Sequence, residues 1–85
     1  MEEMSVLYVG NISEDVTEDI LAKVFGRFGK LTQIRLMLPK RDDKHICSFI
    51  KFSHFQGAYL AKQYLNERKL YGQNLKVVWS SNLAH

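Results

Sequence analysis

With 85 residues the chain has room for one small domain around a single two-layer core, and too few for two. Its 12 Lys and Arg against 9 Asp and Glu give a net charge of +3, which favours an anionic partner without naming one. A lone cysteine, Cys47, excludes an internal disulfide and a Cys-rich zinc site and suits a reducing compartment.

No apolar run approaches the length of a membrane span, and the start at Met1-Glu2-Glu3-Met4-Ser5 lacks the basic and apolar regions of a signal peptide. A soluble intracellular protein, or a piece of one, without a membrane role is expected. Ser5 to Val9 is rich in strand formers and ends at the turn signal Gly10-Asn11, which places Leu7 and Val9 toward a core and Tyr8 outward. Thr17 is a natural N-cap, followed by Glu18 and Asp19 and by apolar residues at Ile20, Leu21, Val24, Phe25 and Phe28, the pattern of an amphipathic helix. Lys23 and Arg27 suit its C-terminal end, and Gly26 and Gly29 loosen or end it.

Leu31 to Leu38 alternates, with Ile34 and Leu36 inward and Gln33, Arg35 and Met37 outward, until Pro39 stops it. The charged segment Lys40-Arg41-Asp42-Asp43-Lys44 is of hairpin length, so the next strand, ending Ile50-Lys51-Phe52, is expected to pair antiparallel. There Ile50 and Phe52 face inward, and Cys47, Phe49 and Lys51 outward. Ser53 is expected to cap a second helix to about Leu65 with an inward stripe of Ala58, Ala61 and Leu65. Asn66 to Gly72 reads as a turn region, and Leu75 to Val78 as the last strand, with Lys76 and Val78 outward.

The order is βαββαβ. Both helices must cover the same apolar face, and right-handed crossovers favour an α+β, ferredoxin-like two-layer sandwich with a four-stranded antiparallel sheet. Residues 1–85 form one domain in this reading, with its core at about 5–80 and a tail at 81–85, expected to be monomeric in isolation. Tyr8 and Phe49 then stand on the open face beside Arg35, Lys51 and Lys76, and rings beside cations on a solvated face can stack bases and meet phosphates. Lys40, Arg41 and Lys44 add cations at its edge, partly cancelled by Asp42 and Asp43.

Over about Ser5 to Ser80 the chain resembles an RNA recognition motif. Leu7 to Ile12 matches the family's RNP2 hexamer at every position, including the aromatic Tyr8 and Asn11. The RNP1 segment ending at Phe52 matches less fully. His45 replaces a basic residue, Ile46 the usual glycine, Cys47 the first aromatic and Ser48 the small residue, while Phe49, Ile50 and Phe52 fit. The turns at Leu65-Asn66 and Leu70-Tyr71-Gly72 fall where the family has them, and Cys47 with a last strand ending Val78-Trp79 is similar to such domains in several pre-mRNA splicing factors. The resemblance implies a non-catalytic module without cofactor that binds short single-stranded RNA on its sheet, in the nucleus and within pre-mRNA processing or splicing.

Under that reading Tyr8 and Phe49 stack bases, and Asn11 either hydrogen-bonds a base edge or braces its own turn. Cys47 removes a platform and shortens the footprint. Trp79 falls by strand parity on the helix side, as core. The alternative is a protein-binding domain, with splicing-factor proteins as partners, using Tyr59, Leu60 and Arg68 on the helical side. Some relatives hold a tryptophan-bearing ligand through an Arg-x-Phe motif and an acidic first helix. Here Arg68-Lys69-Leu70 has Leu for Phe, and Glu14, Asp15, Glu18 and Asp19 lie at or before the first helix. A hydrolase or metal carrier of the same architecture needs a Gly-rich anion loop with an Arg, or a Cys-x-x-Cys loop, and the chain has neither.

Overall fold

Strict alternation sets the first strand. β1 (Val6–Gly10) buries Leu7 and Val9 completely and turns Tyr8 to the opposite face. The computed structural model describes residues 5–38 and 46–80, so the expectations for Pro39, the charged loop, His45 and the 81–85 tail lie outside the described residues. α1 (Glu18–Phe25) starts where Thr17 was expected to cap it, with Thr17 Oγ1 accepting the Ile20 amide at 3.2 Å. Its apolar stripe buries Leu21 and Phe25, and Glu18 Oε2 accepts the Leu36 amide at 3.3 Å, tying the helix start to the next strand.

β2 (Leu31–Met37) and β3 (Cys47–Phe52) pair antiparallel, with a register shift between Leu31 and Gln33. α2 (Phe55–Leu65) presents Gly57, Ala58, Ala61 and Leu65 to the core. Its approach is close: a Cβ on Gly57 would stand 2.9 Å from Phe52 Cδ2 and 3.1 Å from the Phe28 carbonyl oxygen. β6 (Lys76–Trp79) closes a sheet of order β2-β3-β1-β6, antiparallel throughout. The two strands carrying Tyr8 and Phe49 are thus its central pair. Leu7, Val9, Ile50, Phe52 and Val77 from the sheet meet Leu21, Phe25, Ala58, Ala61 and Leu65 from the helices in one core, the α+β sandwich expected. Trp79 packs at its border, its ring stacked on Phe55 at 5.4 Å and 8°.

Three local expectations change. Ser53 does not cap α2. Its amide donates to the Lys30 carbonyl at 2.9 Å, holding it to the start of β2, and its hydroxyl pairs with His54 Nδ1 at 2.9 Å, so His54 takes the N-cap position and its side chain caps no helix amide. The Asn66–Gly72 region is more than a turn, because β4 (Lys69–Leu70) pairs with β5 (Gln73–Asn74) around Tyr71 and Gly72. Both of those residues have positive φ, 52° and 84°, the geometry that a two-residue hairpin turn requires. The last strand begins at Lys76 and runs on to Trp79. Ser48, facing the core from β3, is fully buried, and its Oγ has no hydrogen-bond partner among the described residues.

Candidate nucleic-acid interface

Antiparallel register converts the outward positions of the four strands into transverse rows. Arg35 pairs with Phe49, Phe49 with Tyr8, and Tyr8 with Val78, so one row crosses the whole sheet on the face away from the helices. With strands about 4.8 Å apart it spans roughly 14 Å. On one side lies a row of Gln33, Lys51 and Val6, and on the other Met37 pairs with Cys47 and Gly10 with Lys76. Tyr8, Arg35, Cys47, Phe49, Lys51 and Lys76 are therefore brought together on one surface. Rings occupy its centre, cations its flanks.

The two rings touch edge to face, centroids 5.5 Å apart at 65°. This arrangement suits aromatic quadrupoles and holds both side chains in place before any ligand arrives. Gly10 has a part that composition does not advertise. A Cβ there would lie 3.2 Å from Tyr8 Cε1 and 3.5 Å from its Oη, so the outer half of the tyrosine ring rests along the strand over the bare glycine. Counting by two from Tyr8 would have found it. Beside Phe49 the surface dips into a hollow of about 190 Å3 lined by Val6, Gln33, Arg35, Met37, Phe49 and Lys51.

Asn11 sits just off this face in the left-handed region, φ 59°. Its Nδ2 donates to the Asn74 carbonyl at 2.7 Å, while Gln73 Nε2 donates to the Asn11 backbone oxygen at 3.2 Å and to Oδ1 at 3.3 Å. Of the two roles open to it, the geometry displays the brace: Asn11 fastens the β4–β5 hairpin to the end of β1. Lys76 Nζ lies 3.5 Å from Glu67 Oε2 with both side chains largely exposed, a contact loose enough for another anion to replace.

The helical side does not gather its three candidates. Tyr59 is exposed and stacks on Phe55 at 5.9 Å, and Leu60 lines a separate hollow with Phe28, Lys30 and His54. Arg68 instead lines a cleft of about 480 Å3 with Val24, Arg27, Phe28, Tyr64 and Lys69, where Phe28 and Tyr64 stack at 5.9 Å and 12°. Its Nε donates to the Tyr64 carbonyl at 3.3 Å. Among the described residues no group of three or more His, Cys, Asp or Glu is placed to hold a metal, and no helix is long and apolar enough to cross a membrane.

A sandwich with an open sheet face carrying an aromatic pair on its central strands defines a class of single-stranded nucleic-acid binders. The family described as the RNA recognition motif matches residues 7–76, and the chain belongs to it. Domains of this family are non-enzymatic RNA-binding modules. Human heterogeneous nuclear ribonucleoprotein Q is 36% identical over 80 residues, covering 94% of this chain and 12% of that protein. Protein RRC1 of Arabidopsis thaliana is 34% identical over 82 residues, 92% of this chain and 9% of that protein, so the chain spans only about a tenth of these relatives. Among solved structures, the Rna15 domain with bound GU RNA superposes with a TM-score of 0.77 at 26% identity, covering 91% of this chain and 83% of that one.

Proposed function

We propose that this domain binds a short single-stranded RNA across its open sheet face, with bases stacked on Tyr8 and Phe49, the cations of Lys51 and Lys76 at phosphates, and Arg35 donating from the β2 edge. The observation that carries this reading is the row Arg35–Phe49–Tyr8–Val78 with its rings in contact on the solvated face. Two rings supply on the order of 2 to 6 kcal/mol, against roughly 8 for a micromolar complex. The cations supply the rest. Cys47 presents no ring, which limits the platform to two bases.

A role in mRNA processing, with splicing as its finer form and the nucleus as its place, is supported by the ribonucleoprotein relative and by the sequence likeness to splicing-factor domains. Amide shifts followed by NMR during titration with short RNA test the binding reading. Shifts at Tyr8, Arg35, Phe49 and Lys76 are expected, and a folded Tyr8→Ala/Phe49→Ala protein is expected to lose binding. Unchanged affinity in that double variant would sink the proposal. The cleft between the C-terminal ends of α1 and α2 favours a second reading, a protein partner such as a splicing factor on the helical side. Shifts confined to Phe28, Tyr64 and Arg68 when such a partner is added are its signature.

A further inference from the structure

We propose that the hollow beside Phe49 is a guanine pocket, in which the base stacks on Phe49 and the Arg35 guanidinium donates two parallel hydrogen bonds to O6 and N7. This rests on the sheet-face RNA reading and names the base that the face selects.

Size comes first. At about 190 Å3 the hollow falls below the roughly 300–1,000 Å3 of drug-sized ligand sites, which leaves space for one flat base. Val6, Met37 and Phe49 give it apolar walls, and its polar lining is Gln33, Arg35 and Lys51. Arginine and lysine only donate, glutamine both donates and accepts, and no carboxylate is among the lining residues. Adenine projects an exocyclic amine beside its acceptors, and that amine needs an acceptor. Cytosine offers two adjacent acceptors, O2 and N3, but lays only a single ring on Phe49, so it is the competitor the test must include. Guanine offers two adjacent acceptors, O6 and N7, on an edge that is open in unpaired RNA. Uracil carries its carbonyls on either side of an N–H, so one fork engages one of them.

Register decides between the two planar side chains. Arg35 stands directly opposite Phe49, which puts their Cβ atoms about 4.5–5.5 Å apart, whereas Gln33 stands opposite Lys51, one pair further along. The side chain that reaches alongside a base stacked on Phe49 is the arginine. Its fork is planar, as a base edge is, whereas a lysine at that position brings a flexible point charge that can still donate to O6 and N7 but holds neither bond in the plane. Lys51 and Lys76 flank the row and remain for phosphate.

The test uses the intact domain, fluorescence anisotropy and five-nucleotide uridine RNAs with a central guanine, adenine, cytosine or 7-deazaguanine, and cytosine bound as tightly as guanine would overturn the guanine assignment. Central guanine is expected to bind about 5- to 140-fold more tightly than adenine, the range for one bidentate pair. Replacement of N7 by carbon in 7-deazaguanine is expected to remove most of that margin. Arg35→Lys keeps the charge, so its salt dependence should match the parent while the guanine preference shrinks; Arg35→Ala removes the reader and should abolish it. Arg35→Gln is expected to shift preference toward adenine, whose N6 and N7 match a glutamine amide. Equal binding of guanine and adenine by the parent, with affinity still dependent on Tyr8 and Phe49, would overturn the pocket and leave the sheet-face reading standing. Absence of binding to every RNA would overturn both. An Arg35→Ala protein that keeps the guanine preference would show that Arg35 is not the reader.

Discussion

Replacing Gly10 with alanine tests whether the bed beneath a stacking ring matters as much as the ring. The new Cβ would stand 3.2 Å from Tyr8 Cε1, so the ring must lift by a few tenths of an ångström or tilt at its outer end. The fold should hardly notice. Loss of glycine's freedom in the unfolded chain is worth about 0.4–1 kcal/mol of stability, and the tight contact offsets a similar amount. The melting temperature is therefore expected to move by less than the ~4–8 °C that 1 kcal/mol produces in a domain of this size. RNA affinity should respond more. If the tilt forfeits about half of one ring's 1–3 kcal/mol of stacking, short RNA binds about 2- to 12-fold more weakly. Anisotropy on Gly10→Ala, Tyr8→Ala and the double variant reads the effect as a cycle, since an alanine acting through the ring should do nothing once the ring is gone. A folded Gly10→Ala protein with parental affinity would refute the argument, and so would equal losses with and without Tyr8.

Other perturbations separate structural from binding roles. Ser48→Ala removes a buried hydroxyl that has no partner among the described residues, so stability should rise by about 1 kcal/mol in urea unfolding, and a fall would reveal a partner outside them. Asn11→Gly keeps the left-handed backbone but loses the bond to Asn74, for a cost of about 1 kcal/mol, while Asn11→Ala should cost about 1–2 kcal/mol more for its backbone. Equal losses in the two variants would mean that the φ of 59° carries no penalty. Lys76→Ala breaks an exposed 3.5 Å pair and should change stability by less than about 1 kcal/mol. If Lys76 meets a phosphate, the slope of log affinity against log salt should shrink by about 0.7, and an unchanged slope places the lysine off the RNA path.

The architecture was legible because its signals are periodic. Leu7, Val9, Ile50 and Phe52 repeat every second residue, and Leu21 and Phe25 lie one helical turn apart, so faces followed from counting. Ser53 was misread because cap preference is local, whereas its amide is claimed by Lys30 in a distant loop. The β4–β5 hairpin escaped because two-residue strands are too short to show a period, and Tyr71 at positive φ is a position that sequence preference assigns to Gly or Asn. For the candidate site, parity put Tyr8, Phe49 and the cations on one face, but which residue stands beside which is a matter of register. The adjacency of Arg35 to Phe49 needed the paired strands. On the helical side, Tyr59 and Leu60 sit within α2 while Arg68 lies beyond its end, where helical spacing no longer predicts a neighbour.

The pairing of Tyr8 with both Phe49 and Val78 also has a temporal side. β1 is made first, yet it is flanked by a strand from mid-chain and by the last strand, so the residue that opens the platform waits for the residue that closes it. At a synthesis rate of about 5–20 residues per second, that wait lasts several seconds. During it, β1 has unsatisfied backbone edges on one or both sides. A nascent chain that stops before Lys76 has both rings and no fourth strand to hold them, and the stack of Trp79 on Phe55 cannot yet lock the sheet to α2. Completion of the surface therefore reports completion of the domain, and a chain truncated inside β6 carries an unfinished one.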